Sequence, residues 1–276
     1  MKEGNVSIIA AVALLLSACG GGGGGGGGGD GSAGATTPAS GPAPASTPTV
    51  SATSAQGRYI GTTSDNRTLT TTILANNLYY ALYSRQGDPS VVNGALIGRL
   101  VTSGGTISSG DGTDYNLTSA LASAINITGT YSPKMSISGT ITGATATTTF
   151  VAPYDATFDV TPSLATVQGQ YNGTLIVLTG TDTVSMTVDA TGNLTGTGAS
   201  GCTFTGTIKP DSTGYVYDVA VNFNTTGGCA YPGQGVSGIA SLDSATSALQ
   251  VILQGQGAFV HQVQGKTGVL ILATKV

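Results

Sequence analysis

The sequence has no tryptophan, one histidine and one glutamate, and these scarcities constrain function before any motif is read. The histidine is His261 and the glutamate is Glu3, which is expected to leave with a signal peptide, so paired-carboxylate chemistry falls to aspartate alone. Most aspartates sit beside Gly, Ser, Thr or Asn, which is the company of turn formers. A Ser-His-Asp arrangement requires His261, and no Gly-x-Ser-x-Gly elbow is present to supply its nucleophile. Charge is equally scarce, at 8% of residues and a formal −4. That excludes a basic nucleic-acid binder and a highly charged disordered chain. The 44 glycines carry no three-residue period, which excludes collagen. No catalytic residue, cofactor or nucleic-acid partner is therefore expected.

What is present begins with an address. Residues Ile8 to Leu16 form an apolar run behind Lys2, too short for the roughly 20 residues that span a bilayer. The run ends in Leu16-Ser17-Ala18-Cys19, which resembles the lipobox of bacterial lipoproteins. Residues 1–18 are thus expected to be a signal peptide, with Cys19 acylated after its removal. Two or three acyl chains anchor stably where one does not. Gly20, rather than Asp, follows the cysteine, which resembles the sorting pattern for export to the outer membrane. Glycine runs unbroken from Gly20 to Gly29, and Ala, Ser, Thr and Pro dominate to Gln56. Residues 19–56 are expected to be a flexible, then stiffer, tether.

From Gly57 the pattern becomes that of strands. Val184, Met186 and Val188 alternate with polar residues; so do Phe204 and Ile208, and Tyr215, Tyr217, Val219, Val221 and Phe223. Alternation of this length predicts half-buried antiparallel strands, separated by turn clusters such as Pro210 to Gly214. Gln56-Gly57-Arg58-Tyr59-Ile60-Gly61 is echoed by Gln168-Gly169-Gln170-Tyr171-Asn172-Gly173. Each copy opens a stretch long enough for about eight strands, and closing such a sheet removes its exposed edges. The expected fold is all-β: two small antiparallel meander barrels, residues 57–162 and 166–276. One larger barrel or a split sandwich is the alternative. Leu117, Leu121 and Ile125 share one helical face, so a short helix is predicted over 116–125, capped by Asp114 or Asn116.

With Cys19 lipidated, Cys202 and Cys229 remain, and outside the cytoplasm they are expected to pair. Metal binding by two thiols with no nearby histidine leaves coordination incomplete. Asp111-Gly-Thr-Asp114 is the best metal candidate, but two carboxylates supply few of calcium's six to eight oxygens, so a structural turn is preferred. In Cys229-Ala-Tyr-Pro-Gly-Gln-Gly235, Tyr231 and Pro232 form a candidate contact loop, with covering of the disulfide as Tyr231's other role. Gln250, Gln254, Gln256, Gln262 and Gln264 make the C-terminal strands rich in amides, and His261 falls in an expected strand, Ala258 to Gln264.

Lipobox, Cys19, polyglycine, a Pro/Ser/Thr tether and threonine-rich β-modules together resemble Gram-negative surface lipoproteins of the transferrin-binding protein B and factor H-binding groups. The Gly57-x-Tyr59 and Gly169-x-Tyr171 openings also resemble lipocalins and avidins. No binding residue of these families is carried over by position. The resemblance implies a non-enzymatic protein lipid-anchored at the outer membrane, with a macromolecular partner or an envelope-structural role. The alternative is a small-ligand carrier using a barrel interior. Whether Tyr215, Tyr217, Phe223, Met186 and Ile208 fill the core discriminates the two.

Overall fold

A computed structural model describes residues 54–256 and 266–276. The first nine strands are β1 (Gly57–Thr63), β2 (Thr68–Ile73), β3 (Leu78–Arg85), β4 (Asp88–Arg99), β5 (Val101–Ser103), β6 (Thr106–Asn116), β7 (Leu121–Ser132), β8 (Ser136–Thr142) and β9 (Thr147–Pro153). All pair antiparallel, and β1 meets β9 while β4 meets β6. Because β5 continues β4 past Leu100 along the same partner β6, the ring closes as an eight-stranded barrel. A 3₁₀ turn (Ala156–Asp159) and α1 (Leu164–Val167) lead to the second barrel. Its strands are β10 (Gly169–Val177), β11 (Gly180–Val188), β12 (Asn193–Gly198), β13 (Thr203–Pro210), β14 (Tyr217–Phe223), β15 (Gly235–Asp243), β16 (Ala248–Gln256) and β17 (Lys266–Lys275). They close in sequence order, with β10 against β17. Two closed antiparallel barrels are the fold read from alternation and turn spacing.

The repeated hexapeptide does one job twice. Gly57 and Gly169 start β1 and β10 at φ +153° and +146°, a region closed to residues with a Cβ. Two residues on, Tyr59 and Tyr171 are wholly buried inside their barrels. Each hydroxyl turns back to donate to the carbonyl four residues earlier: Tyr59 to Ala55 at 3.0 Å, Tyr171 to Val167 at 2.6 Å. The tyrosine thus ties the chain entering each barrel across its open end. In the second barrel α1 completes the plug, with Val167 buried and the Tyr217 hydroxyl donating to the Ser163 carbonyl at 3.2 Å.

The helix expected over 116–125 is not formed. Residues Leu117 to Ala120 make a turn and β7 begins at Leu121. Asn116 does cap, but its carboxamide oxygen accepts from the Thr118 and Ser119 amides of a turn. Ala120 then adopts φ +53°, which a right-handed helix forbids. A helix of barely three turns nucleates poorly, whereas β7 gains ladder partners in both β6 and β8. Tyr215 also departs from its expected strand: β14 starts at Tyr217, and Tyr215 lies half-buried against the Tyr217 ring, centroids 6.2 Å apart.

The barrels pack wall to wall. Tyr80, Leu82, Ala95, Ile97 and Tyr115 on the outside of β3, β4 and β6 meet Ile239, Ile252 and Leu270 on the outside of β15, β16 and β17. Phe158 from the 3₁₀ turn and Val216 join the same cluster. These strands are apolar on both faces, since one face lines a lumen and the other lines this joint.

Candidate functional site

The first barrel keeps little internal space. Its lumen is packed by Leu69, Tyr79, Leu96, Ile127 and Phe150, leaving a cavity of about 20 Å³, room for one water. Its polar interior groups are partnered within the fold. Tyr83 donates to Asp114 at 2.7 Å, and the Arg67 guanidinium lies 5.4 Å above the Tyr83 ring. Burial pushes the Asp114 carboxyl up, opposed by the Tyr83 hydrogen bond and the Arg67 charge. Asp111 stands apart from it, accepting from the Ser109 hydroxyl and the Arg99 amide, each at 3.0 Å. Asp111 to Asp114, read as a structural turn in preference to a metal site, instead lies within β6, where a bulge between Ser109 and Gly112 breaks the register, and the two aspartates serve different local networks. Among the described residues no group of three or more His, Cys, Asp or Glu is placed to hold a metal.

The second barrel is filled from the α1 end upward. Tyr217, Ile208, Met186 and Phe223 are all buried in its core, as the alternation required. Filling stops short of the other end, where a cavity of about 180 Å³ remains. Leu175, Val177, Val184, Phe204 and Phe223 form its apolar wall, and the Cys202–Cys229 disulfide with Tyr231 roofs one side. The disulfide joins residues whose Cα atoms are 4.5 Å apart and staples the β14–β15 connection to the start of β13. Tyr231, offered as a contact residue or a disulfide cover, is buried and packs edge-on to Phe223 at 6.4 Å. Burial pushes its hydroxyl pKa up. Pro232 beside it is exposed.

One acidic side chain lines this cavity, beside Thr179, Thr181 and Ser200. Asp182 follows the inward phase of β11 set by Val184, Met186 and Val188, and pairs across to Leu175. Its carboxylate is held by the Ser200 hydroxyl at 2.6 Å and the Ser200 amide at 3.2 Å. Gly198 makes room for it, because a Cβ there would collide with the carboxylate. Sequence reasoning passed over Asp182, Gly198 and Ser200. The signal was available: an aspartate in the inward register of an otherwise apolar strand face needs a reason.

The outside of the same barrel is polar where it faces away from the joint. Cross-strand partners run Gln170, Thr187, Thr195, Thr205 in one row and Asn172, Ser185, Thr197, Thr203 in the next. All of these but the half-buried Thr203 are exposed. Ser185 donates to the Asn172 carboxamide at 2.7 Å. Gln250 and Gln254 lie half-buried on β16. Cys19, the side chain of Gln256, and His261, Gln262 and Gln264 lie outside what the structure describes. Among the described residues no helix is long and apolar enough to cross a membrane, which says nothing of strands.

Solved structures similar to this chain include transferrin-binding protein B from serogroup B Neisseria meningitidis, at 12% identity and a TM-score of 0.29. That match covers 76% of this chain and 59% of the other. A double mutant of transferrin-binding protein B from Haemophilus parasuis matches at 11% identity and 0.29, over 80% of this chain and 59% of that one. A candidate outer membrane protein from Bacteroides fragilis matches at 16% and 0.25, over 80% and 96%. The chain spans 59% of the length of the two transferrin-binding protein B chains. No protein-family model matches it, and no curated protein is significantly similar in sequence. At such TM-scores the likenesses carry no functional weight, and the chain's own residues must supply it.

Proposed function

We propose that the protein is a lipid-anchored, non-enzymatic lipoprotein of the outer membrane that presents its paired barrels to a macromolecular partner. The observation that carries this reading is the packing of the lumens. The first barrel is filled by its own side chains, and the second is filled apart from a cavity of about 180 Å³ at one end, which leaves outer walls and loops as the extensive surface for recognition. The Thr, Ser, Asn and Gln rows of β10 to β13 give that surface hydrogen-bonding groups at regular cross-strand spacing. A net charge of −4 suits a protein partner better than nucleic acid. Leu16-Ser17-Ala18-Cys19 supports anchoring through Cys19, and Gly20 to Gly29 supports a tether that frees the barrels from the bilayer.

Protease shaving of intact cells tests the display. Cleavage of the barrels in whole cells is expected; protection in whole cells with cleavage in lysates counts against it. Cys19→Ala tests the anchor in parallel. The variant should leave the membrane fraction, and continued membrane association would remove lipidation from the proposal.

A further inference from the structure

We propose that the cavity at the disulfide-stapled end of the second barrel is a binding site for a small apolar amine, a ring or short chain bearing one cationic nitrogen. This goes beyond the surface reading by using the part of the second lumen that side chains leave open, and its test is separate from those of display and anchoring. At about 180 Å³ the cavity exceeds the roughly 150 Å³ at which an apolar protein cavity takes up benzene. Its wall of Leu175, Val184, Phe204 and Phe223 suits a hydrocarbon, while Thr179, Thr181 and Ser200 bring hydroxyls to its lining beside Asp182.

An apolar void alone specifies no ligand; Asp182 supplies the specificity. It follows the inward phase of β11 and is half-buried, so its carboxylate stands between the apolar wall and solvent. Two features keep it in place: Ser200 donates to it from hydroxyl and amide, and Gly198 vacates the space it fills. A carboxylate has about four acceptor positions, and Ser200 does not exhaust them. A charged group beside an apolar wall, with acceptor capacity left, selects an ammonium over a neutral or anionic head. A fatty acid, which would fit the wall, meets a like charge at the rim.

Chemical-shift titration of the chain carrying Cys19→Ala, which excludes acyl chains and detergent, decides the matter. The probes are benzylamine, toluene and benzoate. Benzylamine should give saturable shifts at the amides of Val184, Ser200 and Phe223, with toluene at least about tenfold weaker and benzoate silent. Asp182→Asn should weaken benzylamine by about tenfold and leave toluene unchanged. Val184→Phe, which fills the cavity, should abolish both. Should that variant fail to fold, crystals of the parent chain soaked in benzylamine give a second reading, with ligand density in the cavity expected. Absence of saturable binding, empty density, or benzoate binding as tightly as benzylamine overturns the site. Benzylamine affinity indifferent to Asp182→Asn overturns the role of the carboxylate.

Discussion

Tyr59 and Tyr171 each combine a buried ring with a hydroxyl that donates to the chain entering their barrel, Tyr59 to Ala55 with a longer contact to Gln56, Tyr171 to Val167. Replacing either with phenylalanine keeps the ring and leaves a buried carbonyl without its donor. Tyr59→Phe and Tyr171→Phe should each lower stability by about 1–2 kcal/mol, read from the midpoint of denaturant unfolding. The same burial sets a pH limit. Desolvation pushes Tyr59, Tyr79, Tyr171 and Tyr217 up to about 12 from an ordinary value of 10.0. A group that holds its proton more tightly when folded stabilises the fold below its unfolded pKa. That stability is lost as pH rises through the folded value. The protein should therefore weaken between pH 10 and 12, and thermal melts across that window should fall steeply. Flat melting temperatures would contradict the buried hydroxyls. At this scale the sequence is legible where function of a residue is repeated: Gly-x-Tyr appears twice because the same closure is needed twice. Asp182 had no second copy, and only its register betrayed it.

Strands were legible for a physical reason and the false helix for a related one. Val184 to Val188 and Tyr217 to Phe223 have one wet and one dry face, so period two is written into them. Between Asn116 and Ile125 the apolar residues straddle a turn and a strand, and their accidental spacing imitates a helix. The partners that decide the matter, β6 and β8, lie outside any local window. The disulfide belongs to this scale as well. It closes a loop of sequence separation 27 and fixes the β14–β15 connection over the cavity. Cys202→Ala with Cys229→Ala should lower the stability of the second barrel by about 3–4 kcal/mol in the chain-entropy account. Hydrogen exchange should show the largest loss in residues 224–234 and, because the joint couples the barrels, a shared loss for the slowest amides of both. Unchanged protection in β1 to β9 would mean that the barrels unfold separately.

At the scale of the molecule, the joint between barrels was the least legible feature, although its trace is present. Leu78 to Tyr83, Val251 to Leu253 and Val269 to Leu272 are unbroken apolar runs, which a strand with one wet face does not need. They read as strand cores until a second barrel is there to explain the outward half of each run. Domain pairs within a chain move independently unless the interface is large and apolar. Here the Tyr115 ring lies over Gly268, and Ile252 points into the cluster while Val251 and Leu253 face the lumen. Ile252→Asp therefore strikes the joint without altering the second barrel's core. An unpaired carboxylate in that apolar setting should cost at least about 3 kcal/mol of coupling. The unaltered protein should unfold in one transition and Ile252→Asp in two, each barrel followed by its own amide exchange. Thr187→Asp, on the exposed polar wall, supplies the control and should keep one transition. Two transitions in the unaltered protein would show that the barrels are independent modules. In that case a partner would meet two surfaces free to reorient rather than one rigid face.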